Sequence, residues 1–127
     1  MKTEKKLGVW MDYSMAHLME FSTEPFEVKT IESKFQHHDK EESLAKGESL
    51  MHKKEQLSQL KYYKKISNAI QNFYHVVLFG PTNAKQELFN MLREDHNFLK
   101  VKIEIKETDK MTSRQQQAFV RKHFSMA

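Results

Sequence analysis

"VVLFGPTNAKQELFNML", residues 76–92, is the stretch on which the fold turns. With His75 before it, the run "HVVLF" is apolar without alternation and is closed by Gly80-Pro81, which predicts a central strand buried on both faces. Ala84, Leu88, Met91 and Leu92 then recur at intervals of three and four, so a helix follows with these residues inward. The turn between them invites comparison with a phosphate loop. Such a loop needs several glycines, so that successive N–H groups converge on an anion at a helix N-terminus. "FGPTNAK" has one glycine, and Pro81 removes a donor. Thr82 or Asn83 can cap the helix unaided. The turn therefore reads as a corner, with one residue against that reading: Lys85 stands at the helix start, where its charge opposes the dipole, and keeps an anion site open.

Upstream, "LGVWMD" and "AHLMEF" are short β-prone runs separated by Tyr13-Ser14-Met15, a hairpin that Asp12 can close through an Asx turn. "FEVKTIESKF" alternates Phe26, Val28 and Thr30 with charged positions, as a third strand with one wet face should. Residues 36–49, "QHHDKEESLAKGES", are polar and without periodicity and read as a mobile loop. A long helix is expected from about Ser49 to Phe73, with Leu60, Tyr63, Ile66, Ile70 and Phe73 inward and Leu57 off the stripe. Downstream, "KVKIEIKE" alternates Val101, Ile103 and Ile105 with Lys and Glu, a last strand with one face more exposed. In "TSRQQQAFVRKHF", Thr112 and Gln115 have capping-box spacing, and Arg121, Lys122 and His123 suit the C-terminal end of a helix. The order is β-β-β-α-β-α-β-α, an α/β domain with a mixed sheet and helices on its faces.

The chain has 127 residues, 39% of them hydrophobic and 11% aromatic, which suits one domain spanning 1–127. A net charge of +4, from 21 Lys and Arg against 17 Asp and Glu, permits an RNA or phosphate partner without demanding one. The absence of cysteine excludes a disulfide scaffold, a thiolate zinc site and a cysteine nucleophile. No segment has the apolar length of a signal peptide or membrane span, so the expectation is a cytoplasmic protein with no membrane partner.

The opening "LGVWMDYSMAHLMEF", the unit "VVLFGPTNAKQELFNML" and the ending "TDKMTSRQQQAFVRKHF" together resemble the middle domain of eukaryotic and archaeal peptide release factors and of Pelota. They look closer still to small stand-alone bacterial proteins described as host-attachment or translational-machinery-like. The sharpest local motif is Gly80-Pro81 followed by Ala84-Lys85. The resemblance implies the ribonuclease H-like fold, whose element order agrees with the periodicity. In release factors, the loop before the long helix carries the Gly-Gly-Gln that positions water against the peptidyl ester. The corresponding loop here has Gln36 and Gly47 far apart, and the chain has three glycines, Gly8, Gly47 and Gly80. Without paired glycines a glutamine cannot be presented that way, so peptide release is not expected. Pelota also lacks the motif but works through flanking domains, whose contacts do not carry over to these 127 residues.

Four sets of residues are candidates for function. Asp12 lies on the first strand, where nucleases of this fold hold a metal ion, but Glu27, Glu32 and Glu104 have no motif placing them beside it. His37 and His38, with Asp39, Glu41, Glu42 and His52, offer metal ligands, though neighbouring histidines in a charged loop are usually just solvated. Lys54, Lys61, Lys64 and Lys65 share the outer face of the long helix, with Tyr62 beside them as a base-stacking ring. Lys61 and Lys65 form a like-charge pair one turn apart, although Glu48 and Glu55 interrupt the run and a charged outer face is ordinary for a surface helix. Arg114, Arg121, Lys122 and His123 form a second basic cluster. The sequence thus reads as a non-catalytic, RNA- or ribosome-associated binding module without a cofactor. The alternatives are a metal-dependent nuclease or phosphatase using Asp12, and a protein-interaction domain of attachment type.

Overall fold

The computed structural model describes residues 5–21, 28–33 and 48–125. Its centre is strand β4, His75–Gly80, in which Val76, Val77, Leu78 and Phe79 have no solvent exposure. Three strands precede it: β1 Lys6–Met11, β2 Met15–Glu20 and β3 Val28–Glu32. Helix α1, Glu48–Ile70, leads into β4, and α2, Ala84–Arg93, follows it. A 3-10 turn at His96–Phe98, strand β5 at Lys102–Glu107 and helix α3 at Ser113–Ser125 complete the order.

The five strands form one mixed sheet in the order β3-β2-β1-β4-β5. The β1-β2 and β2-β3 pairs are antiparallel, and β1-β4 and β4-β5 are parallel. The antiparallel part needs only tight connections, and Asp12 supplies one: its Oδ1 accepts from Ser14 N at 2.7 Å and Met15 N at 2.8 Å, the expected Asx turn. The parallel pairs need crossovers, which carry α1 and α2. This α/β arrangement is consistent with the ribonuclease H-like fold.

Side-chain alternation divides the core between the two sheet faces. Leu7, Val9, Met11, Val76 and Leu78 lie under Tyr62, Tyr63, Ile66 and Ile70 of α1 and Ala84, Leu88 and Leu92 of α2. Trp10, Met19, Val77 and Phe79 lie under Val120 and Phe124 of α3. The capping box of α3 forms as its spacing predicts: Gln115 N donates to Thr112 Oγ1 at 3.2 Å, and Thr112 N donates to Gln115 Oε1 at 2.9 Å.

The phase of α1 differs from the expected stripe. Leu60 is 56% exposed, whereas Tyr62 is 1% exposed. The buried face is set by Tyr62, Tyr63, Ile66 and Ile70, and Leu60 lies roughly 100° round the helix from its centre. Tyr62 donates its hydroxyl proton to Asp12 O at 2.8 Å, and Tyr63 donates to Glu87 Oε1 at 2.8 Å. Burial raises both phenol pKa values well above the ordinary tyrosine range. Tyr62 is therefore a core residue and offers no face to a base. The helix also ends earlier than expected, at Ile70, with Phe73 N closing a turn onto Ile70 O at 2.9 Å. The expected mobile loop lies outside the described residues, except that Glu48 and Ser49 begin α1.

Candidate functional site

Strand β5 is an edge strand whose alternation sends Ile103 and Ile105 towards the α1/α2 core and Lys102, Glu104 and Lys106 to the other face. The register sets His75 opposite Lys102, Val77 opposite Glu104 and Phe79 opposite Lys106. Helix α3 packs on β1 and leaves this face of β5 open along one side. The result is a groove of about 580 Å³ with Lys102, Glu104 and Lys106 on one wall, Phe119, Lys122 and His123 on the other, and His75 at its base.

Three of these side chains converge. Glu104 Oε2 accepts from His123 Nε2 at 2.9 Å and also from His75 Nε2. Both rings must present Nε2–H to the same oxygen, so one carboxylate fixes the orientation of both imidazoles. Aromatic packing holds them from the other side. His75 meets Phe124 edge-on at 5.0 Å, and His123 stacks on Phe119 at 6.0 Å, which in turn stacks on Phe79 at 4.3 Å. Burial pushes the Glu104 carboxyl up, but the hydrogen bonds and charges of the two histidines outweigh it and hold its pKa below the ordinary value.

That shift carries a pH dependence. Because the folded-state pKa lies below the unfolded one, the stabilisation is complete above about pH 4.5 and is lost as pH falls through the folded value. Urea unfolding of the wild type and Glu104→Gln should therefore differ at neutral pH and converge in acid. A gap that stays constant down to acid pH would show that the carboxylate charge contributes nothing.

The residues singled out in the sequence fall in several places. Lys61, Lys64 and Lys65 are exposed on the outer side of α1, and Lys54 is on the same helix, its side chain outside the described residues. Arg114, Arg121 and Lys122 are exposed on α3, across the sheet from α1, so the two basic clusters are separate surfaces. Lys85 departs from the reading as a cation offered to an anion at the helix start. It is 2% exposed, with Nζ paired to Glu107 Oε1 at 2.7 Å and donating to Thr82 O. The charge that opposes the α2 dipole is thus neutralised from within, and Thr82 Oγ1 accepts from Ala84 N at 3.2 Å, as a corner requires. Asp12 is engaged in its turn and does not join the one three-ligand cluster found among the described residues, His75, Glu104 and His123. His37 and His38 lie outside the described residues.

Sequence reading took His75 only as the start of a buried strand and did not connect Glu104 with His123. The three are 29 and 19 residues apart along the chain, and only the β4-β5 register and the docking of α3 bring them together. The legible signal was period-two alternation, which places Glu104 away from Ile103.

No protein-family model matches the chain, and no curated protein matches it by sequence. Solved structures do. Pelota from Archaeoglobus fulgidus matches at TM-score 0.57 and 11% identity over 96% of this chain. Pelota from Thermoplasma acidophilum matches at TM-score 0.57 and 14% identity over 98%. The archaeal translation termination factor aRF1 matches at TM-score 0.54 and 13% identity over 96%. The chain spans 32% of each Pelota chain and 40% of aRF1. The fold is therefore the one found in Pelota and release-factor domains, as the sequence resemblance implied.

Proposed function

We propose that this chain is a non-catalytic module that binds RNA or a ribonucleoprotein in the setting of translation, with the groove between β5 and α3 as its contact surface. The observation that carries this reading is the groove itself, in which Lys102, Lys106 and Lys122 surround an apolar wall at Phe119. Lysine ammoniums on both walls suit a phosphate backbone, and a half-buried ring beside them suits a base. The fold shared with Pelota and aRF1 supports the translation setting. Peptide release is not part of the proposal, because the chain has no Gly-Gly pair. Nor is Asp12-based hydrolysis, because Oδ1 of Asp12 is taken by two backbone amides and Asp12 joins no three-ligand group among the described residues.

Binding of labelled single-stranded RNA across a salt series tests the proposal. Three phosphate contacts give a log–log slope of about −2 for single strands. Lys106→Glu with Lys122→Glu should weaken binding at low salt by about tenfold or more, while Lys61→Glu with Lys65→Glu should leave it near wild type. The reverse pattern would move the contact to α1, and no wild-type binding at low salt would remove RNA from the reading. Migration with a ribosomal subunit on sucrose gradients is the expected result in lysate.

A further inference from the structure

We infer that His75 Nε2, Glu104 Oε2 and His123 Nε2 form a binding site for a divalent transition metal of the zinc class, with its fourth position open to the groove. The three ligand atoms lie within 4.8 Å of one another. Tetrahedral zinc holds nitrogen and carboxylate ligands at about 2.0–2.1 Å, which separates them from one another by about 3.3 Å. To admit the ion, Glu104 Oε2 has to part from His123 Nε2, now 2.9 Å away, by a few tenths of an ångström, and by more from His75 Nε2, its closer partner. No net proton has to leave a neutral imidazole, since the Nε2 proton can be replaced at Nδ1 through solvent.

The donor set and its surroundings both suit an open site. Two histidines and one glutamate are the ligand set of zinc centres that keep a water or substrate position, whereas closed structural sites use four protein ligands. The rings are already oriented by Phe119 and Phe124, so little ordering remains to be done on binding. One carboxylate leaves the bound ion with a net positive charge, and Lys102 and Lys106 flank it on the same strand. Those ammoniums weaken cation binding, and they favour an anionic oxygen such as phosphate as the fourth ligand.

The site stands on side-chain geometry and not on the RNA reading, and its test contains no RNA. Tag-free protein titrated with Co²⁺ should develop the visible absorption of a tetrahedral ion at one equivalent and lose it to competing Zn²⁺. His123→Ala should abolish the band. Glu104→Gln, nearly the same shape and able to keep a hydrogen bond, should weaken binding by more than the 10–100-fold typical of losing an outer-shell partner. His37→Ala with His38→Ala should bind like the wild type. Absence of the band in folded wild type, or its survival in Glu104→Gln with loss in the His37/His38 variant, would overturn the assignment. Should His123→Ala fail to fold by circular dichroism, Glu104→Gln decides alone.

Discussion

Gly80→Ala is expected to destabilise the chain by about 3–5 kcal/mol, a large part of the roughly 5–15 kcal/mol that holds a domain of this size. Gly80 ends β4 at a φ of +143°, a region that residues with a Cβ rarely adopt, and holding one there costs about 1–3 kcal/mol. The added Cβ would also stand 2.2 Å from Met11 O. That atom is backbone at the end of β1, one residue beyond the Trp10–Phe79 pair of the parallel ladder and held by the pairing of Met11 with Ala16 on β2, so it cannot turn aside as a side chain would. Relief requires the two central strands to separate at their ends, or the turn into α2 to be rebuilt, with overpacking of about 1–3 kcal/mol in either case. Urea unfolding followed by circular dichroism gives the value. A loss below about 1 kcal/mol would mean that the turn adjusts freely and that Gly80 is not held by its conformation. The neighbouring Pro81→Ala makes the control, since it adds no heavy atom, only an amide hydrogen, and should cost under about 1 kcal/mol, chiefly through the unfolded chain.

The same turn shows what kind of information the sequence carries. Strand, corner and helix are local, and each has its own signal: the unbroken run at 75–79, the Gly-Pro break, the three-and-four spacing of Ala84, Leu88 and Leu92. The hairpin at Asp12 and the capping box at Thr112 are equally local and equally legible. Lys85 was not, because its burial depends on Glu107, at the end of a strand 22 residues away. The phase of α1 depends likewise on what lies beneath it. Leu60 fits the apolar stripe and Tyr62 stands beside the outer lysines, but Tyr62 finds a backbone acceptor at Asp12 O and Leu60 faces water. The His75, Glu104 and His123 cluster is the furthest case. Each residue has an ordinary local reading, as the end of an apolar run, the wet face of an edge strand and a basic helix terminus. Their shared chemistry exists only after β5 has paired with β4 and α3 has docked.

That docking rests on Gly8, and the second large effect is expected there. A Cβ at Gly8 would meet Val120 Cγ2 at 2.2 Å and Cγ1 at 3.0 Å, so α3 sits directly on the bare backbone of β1. Val120 is fully buried and cannot swing into solvent. Gly8→Ala should therefore push the helix off the sheet and cost about 1–3 kcal/mol, the usual range for overpacking a filled core. Val120→Ala removes both clashing methyl groups and is destabilising alone, through the space it leaves. The two changes together should cost less than their sum, with a favourable coupling of about 1–2 kcal/mol, because the new methyl group occupies part of the volume vacated. The consequence reaches the groove, since Phe119 and His123 ride on the same helix as Val120. Displacing α3 in Gly8→Ala draws His123 from Glu104, so the stability lost on Glu104→Gln at neutral pH should shrink in that variant and recover in Gly8→Ala with Val120→Ala. Simple additivity of the two changes would place Val120 elsewhere than over Gly8. A double variant that regains stability without regaining the Glu104 effect would show that the helix can return to the sheet without restoring the histidine geometry.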